Sequence, residues 1–279
     1  MPATQIAQNL AFINWTLLTG LALGSYAAVV LLRRRSSATR GYLGFTTMCA
    51  VAFGLLAWLS DRALPASLGE SPVVLDPAWD GPRQTALIGF VLLAIIALVV
   101  RRIRSGWAPA LELAAAAAGT LTVLFGALAW GNGGLGAVAL LVELAVVVLV
   151  TGGVFAAMIL GHWYLVTPKL PEAPLILLSR LLLGLVAAQV VLFIVWMATG
   201  AGPADVAPFT ALVGPWALFV WLRLLVGLVF PLVVSWAAVQ TARTRSMESA
   251  TGLLYINVGT VAAGTILAAG LYFGAGLLV

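Results

Sequence analysis

One stretch of the sequence gathers groups able to bind and protonate a planar ligand. It reads Gly161-His162-Trp163-Tyr164-Leu165-Val166-Thr167-Pro168-Lys169-Leu170-Pro171, and His162 is the only histidine in the chain. An imidazole donates a hydrogen bond to a carbonyl and exchanges its proton near neutral pH. Aromatic rings such as those of Trp163 and Tyr164 can sandwich a flat headgroup. Arg180 follows after one short connector, and Glu112, Tyr255 and Asn257 stand near the same ends of their own apolar runs. Glu112 or Tyr164 can relay protons to water. His162, Trp163, Tyr164, Arg180, Glu112, Tyr255 and Asn257 therefore form a candidate site for a quinone or a lipid headgroup. A plainer reading competes with it, because Trp, Tyr and His also decorate the ends of membrane helices as interfacial anchors.

A second set of polar residues lies deeper. Glu143 is eight residues below Leu135, or about 12 Å at 1.5 Å per residue. Arg223 is seven residues below Trp216, or about 10 Å. Both runs enter from the same side, so the two charges stand at nearly equal depth, with Asn14 in the same layer. An isolated charge there costs a few kcal/mol or more, and pairing Glu143 with Arg223 offsets much of it. Such a pair serves either to fix how two helices pack or to line a polar pocket for a headgroup, a proton or a substrate.

Other chemistries lack their residues. Bis-histidine haem ligation needs a second histidine. Met158 lies on the same helix face as His162 and cannot bind the opposite side of one iron, and no spacing supports Met48 or Met197. Zinc and di-iron sites need His and carboxylate clusters that the sequence does not contain. The glycines lie in apolar runs without a following Lys-Ser/Thr, so no nucleotide loop is expected. The single cysteine, Cys49, forms no intrachain disulfide and reads as a small packing residue. No metal is expected, and a quinone is the cofactor class these residues accommodate.

The elements that must position these groups are legible in the composition. The chain has 279 residues, 63% hydrophobic and 8% charged, against about 25% charge in a soluble domain. Eight runs are candidates to cross a bilayer of roughly 30 Å: 10–32, 42–60, 85–100, 107–130, 135–164, 175–199, 216–240 and 251–278, the third being short unless it extends toward Gln84 or Arg101. The expected fold is an all-α polytopic membrane protein with eight transmembrane helices. Of 14 Lys and Arg residues, ten fall in alternate gaps: Arg33, Arg34, Arg35 and Arg40, then Arg101, Arg102 and Arg104, then Lys169, then Arg243 and Arg245. These gaps are expected to be cytoplasmic, with the other gaps and both termini outside. The same alternation accounts for the basic net charge, so nucleic acid is not an expected partner. The first run ends in arginines rather than at a cleavage site and reads as a retained helix. The expected location is a bacterial or archaeal cytoplasmic membrane, with the lipid bilayer and further membrane or peripheral subunits as partners.

The loop 61–84 holds Asp61, Glu70, Asp76 and Asp80 among four prolines, and reads as a partner-docking segment or as an ordered connector. Gly270-x-x-x-Gly274 marks helix packing, within the chain or against another subunit. Pro231 is expected to kink the seventh run.

The chain also carries signs of two halves, 1–134 and 135–279. Thr19-Gly20 matches Thr151-Gly152, Ala117-Ala118-Gly119-Thr120-Leu121 resembles Ala262-Ala263-Gly264-Thr265-Ile266, and Arg102-x-Arg104-Ser105 resembles Arg243-x-Arg245-Ser246. Four spans per half preserve orientation, so the repeat would be parallel. Eight spans in two four-helix halves is similar to the architecture of NrfD/PsrC-type quinol-handling subunits, a resemblance of layout that carries no residue across. The leading expectation is thus a membrane subunit of a redox or respiratory-type assembly. The alternatives are a secondary transporter or lipid-handling permease built on Glu143 and Arg223, and a packing subunit without a ligand.

Overall fold

The structure, a computed structural model, describes residues 1–103, 105–167 and 169–279. Arg104 and Pro168, counted above among the basic residues and in the His162 stretch, lie outside the described residues. Eight helices are long and apolar enough to cross a membrane: Leu10–Arg35, Arg40–Asp61, Pro77–Arg102, Ala108–Trp130, Gly134–Val166, Ala173–Thr199, Ala217–Arg243 and Met247–Ala275. They are called the first to eighth spans. Local signals set several of their ends. The Thr39 hydroxyl accepts from the Tyr42 amide to cap the second span, a role that suits an N-cap threonine. Gly200 and Gly276 end the sixth and eighth spans with φ near +66° and +67°, where a side chain would be strained. A short helix, Pro2–Gln8, precedes the first span and lies against the eighth.

Each span packs on the next within the first four and within the last four, and the eighth closes back on the fifth. The first and fifth spans meet at the centre. Contacts between the first and eighth, and between the fourth and fifth, join the two sets. Glycines allow the closest crossings. A Cβ on Gly24 would lie 2.9 Å from Gly152 Cα, and one on Gly227 would lie 2.6 Å from Gly264 Cα. Large apolar side chains such as Leu56, Leu92, Val191 and Ile194 stay exposed on the outside, as a surface solvated by lipid requires. The basic helix ends Arg33–Arg35, Arg40, Arg101–Arg102 and Arg243 share one side of the bundle, called here the basic side.

One expectation needs correction, and two others gain detail. The third span starts well before residue 85 and the second runs on to Asp61. Asp61 and Arg83, read above as loop residues, are therefore helical and buried. Their positions at the edges of apolar runs hid them, since a buried charge with partners need not interrupt a helix. Ahead of Pro231 the seventh span carries a π-turn, Leu225–Val229, that runs up to Phe230, and a second one, Gly20–Gly24, interrupts the first span. Proline has no N–H for the carbonyl four residues back. That carbonyl belongs to Gly227, and Arg223 Nη1 donates to it at 3.4 Å instead. Finally, Gly270 faces Ile6 and Ile13, and Gly274 faces Trp216, so the Gly270/Gly274 motif packs within the chain.

Candidate functional site

The single histidine is held by the fit of the fifth span against the eighth. Gly161 permits this approach, because a Cβ there would lie 2.8 Å from Thr251 Oγ1. One residue on, His162 Nδ1 lies 3.2 Å from the Tyr255 hydroxyl, with the rings edge to face at 6.4 Å. Both side chains are exposed. If the tyrosine donates to Nδ1, the imidazole carries its proton on Nε2, which then faces outward as a donor. Beside this helix end, a cavity of about 430 Å³ is lined by Tyr164, Leu165, Leu170, Arg245, Met247 and Glu248.

The remaining members of the expected cluster are dispersed. Trp163 turns the other way and packs on Tyr42 and Phe45 of the second span, over Gly41. Tyr164 is buried and donates to the Pro171 carbonyl at 2.5 Å, pinning the connector to the sixth span. Asn257 is fully buried and donates to Ser235 Oγ at 2.8 Å. Arg180 is exposed and forms no hydrogen bond or ion pair among the described residues. Glu112 belongs to a separate group: its Oε1 accepts from Arg33 Nη1 and from Arg101 Nε, the latter at 2.6 Å. The structure thus brings together His162 and Tyr255, and leaves Trp163, Tyr164, Arg180, Glu112 and Asn257 with other roles or none.

In the deeper layer, Arg223 Nη2 stands 3.7 Å from Glu143 Oε1, with both residues buried. This is an ion pair without a direct hydrogen bond, and neither of those two atoms has another partner. Glu143 Oε2 accepts from Trp196 Nε1 at 3.1 Å, and Arg223 Nε donates to the Val279 carbonyl at 3.3 Å. A void of about 20 Å³ beside Glu143, walled by Thr16, Leu140, Tyr272 and Leu278, has room for one water. Asn14 does not join this layer: it is exposed and donates to Ser60 Oγ at 3.2 Å.

A third polar group was not anticipated as a site. Asp61 accepts from Trp15 Nε1 at 2.6 Å and from Arg83 Nε and Nη2 at 2.8 and 3.0 Å. Arg83 Nη1 reaches Asp80 at 2.8 Å, and the guanidinium lies 4.6 Å from the Trp130 ring centre. Every nitrogen of Arg83 is engaged, so the network ties the first three spans together on the side opposite the basic one. A cavity of about 240 Å³ above it is lined by Phe12, Arg62, Pro77, Gln84 and Trp130. The signal in the sequence was Asp80 three residues before Arg83, a helical ion-pair spacing. The loop between is an ordered connector: Leu68 and Val73 are buried, and the Asp76 amide donates to the Ala129 carbonyl at 2.8 Å.

Among the described residues, no three His, Cys, Asp or Glu side chains come together as a metal-binding group. Compared with known proteins, the chain matches no protein-family model and no curated sequence.

Proposed function

We propose that the chain is a membrane subunit of a redox-type assembly that binds a quinone-class ring or a comparable headgroup from the lipid phase at His162 and Tyr255. The observation that carries this reading is the hydrogen-bonded His162–Tyr255 pair, exposed at the basic-side ends of two spans and so accessible to a ligand dissolved in the membrane. A protonated Nε2 donates to a carbonyl oxygen and gives up its proton as the quinone takes electrons from a partner's carrier; Tyr255 gives its own proton to Nδ1 in the same step, and the exposed phenol regains one from water. With one histidine and one cysteine in the chain, the electron carriers reside in partner subunits. The transporter reading has one observation in its favour, the π-turns in the first and seventh spans, since such turns often mark working sites. Against it, the void at Glu143 accommodates a water and not a substrate.

The test is binding of a short-chain quinone to protein in nanodiscs, read by tryptophan quenching. Losing one hydrogen bond of about 1.4 kcal/mol weakens affinity about tenfold. His162→Ala should show that loss and Tyr255→Phe a smaller one. Unchanged affinity in His162→Ala would overturn the assignment.

A further inference from the structure

The geometry points to a second binding site, for the phosphate of an anionic phospholipid, at Arg33, Arg101 and Glu112 on the basic side. Two guanidiniums share a single carboxylate oxygen, Glu112 Oε1. One carboxylate balances one of them, so the group keeps an excess positive charge. Arg34, Arg35 and Arg102, the chain neighbours of these two arginines, are exposed and add to the positive field of this side.

Donor capacity is also left over. Arg33 Nε and the Tyr26 hydroxyl are buried without a hydrogen-bond partner. Tyr26 is 2% exposed. Both residues line a void of about 10 Å³ that also touches Thr47, Glu112, Val30 and Leu98. That space admits one water, which can satisfy the buried donors and hand a hydrogen bond outward. The phosphate itself lies at the mouth, where the Arg101 side chain is 38% exposed and only its Nε is committed. Guanidinium groups suit this task because several N–H donors point at the oxygens of one phosphate.

The source of the phosphate follows from the walls. Val30 and Leu98 make the crevice apolar, and the adjoining turn carries Ile103 and Trp107 at 72% and 75% exposure. An exposed tryptophan beside a basic helix end is the usual mark of the headgroup level. The net charge favours an anionic lipid over a zwitterionic one.

The experiment measures the thermal shift of detergent-purified protein on adding phosphatidylglycerol, phosphatidylcholine or inorganic phosphate. Phosphatidylglycerol should raise Tm more than phosphatidylcholine does. Arg101→Gln should lose at least half of that increment. Arg243→Gln, which removes one exposed charge from another basic helix end, should keep it. Glu112→Gln releases both guanidiniums and should enlarge the increment, which a purely structural role would not do. The proposal is overturned if the two lipids act alike, if Arg101→Gln keeps the full increment, or if Arg243→Gln loses as much. It is overturned equally if inorganic phosphate reproduces the lipid's shift, since the site would then be one for free phosphate.

Discussion

The two buried arginines on the side opposite the basic one are satisfied in different ways, and this sets what each substitution does. Arg83 gives every nitrogen to a carboxylate, whereas Arg223 reaches two backbone carbonyls and faces Glu143 without a direct hydrogen bond. Asp61→Ala would strand Nε and Nη2 of the buried Arg83 and leave it only Asp80 on Nη1, at a cost of about 3 kcal/mol, visible as a large drop in the melting temperature of the purified protein. At the other pair, Arg223→Met alone strands a carboxylate, while Glu143→Gln with Arg223→Met removes both charges. The double variant should melt above the Arg223→Met single, because the stranded charge is the main cost. The pairs also differ in how far the sequence exposes them. Glu143 and Arg223 are lone charges inside long apolar runs, so counting residues from each helix end sets them at one depth. Asp61 and Arg83 sit where runs fade into a proline-rich stretch, and no count from the sequence separates helix end from loop there. Arg180 shows the limit of depth as a guide. A long arginine one or two turns into a span can extend its head toward the interface and needs no partner.

At the scale of helices, the crossings are set by a few glycines rather than by the many that the composition offers. A Cβ on Gly152 would meet the backbone of the first span at Gly24 and Ser25, and one on Gly264 would lie 2.7 Å from Gly227 Cα. Backbone cannot rotate away as a side chain can, so Gly152→Ala or Gly264→Ala forces two spans apart, and overpacking of this kind costs about 1–3 kcal/mol or more. Gly184 and Gly259 have nothing within 4 Å of an added Cβ. Alanine there should be neutral or mildly stabilising, since glycine is the poorer helix former. Size-exclusion profiles of the four variants test the contrast: loss of the monodisperse peak for the first two, retention for the last two. The span count and the alternation of charge were readable because lipid demands uninterrupted apolar helices. The π-turns were not readable, because a one-residue irregularity leaves hydropathy unchanged. Pro231 was its only trace in the seventh span, and nothing marked the turn at Gly20–Gly24.

For the molecule as a whole, the question is whether 1–134 and 135–279 are two versions of one unit. Aligning Arg102-x-Arg104-Ser105 with Arg243-x-Arg245-Ser246 sets Arg83 one residue away from Arg223, and the π-turn at Leu225–Val229 accounts for that one residue, because a π-turn uses an extra residue for the same rise. In each half an arginine on the third helix then faces a carboxylate that accepts from a tryptophan indole, Trp15 to Asp61 and Trp196 to Glu143. The carboxylate and the tryptophan exchange helices between the halves, so the pattern of packing is kept while the residues are not. The contact of the first span with the eighth and that of the fourth with the fifth are the pair that a two-fold relation between the halves would exchange, whereas the broad contact of the eighth span with the fifth has only a slight counterpart between the fourth and the first. This arrangement predicts that a break in the Gly131–Gly134 turn is tolerated. Fragments 1–134 and 135–279, co-expressed with a tag on one only, should co-purify and melt close to the intact chain, because the central helix crossing does not depend on the connecting turn. A break placed instead inside the first half, after Arg35, separates the first span from the second to fourth and should lower the yield of assembled protein severalfold. Equal yields from the two breaks would mean that the halves are not the units of folding.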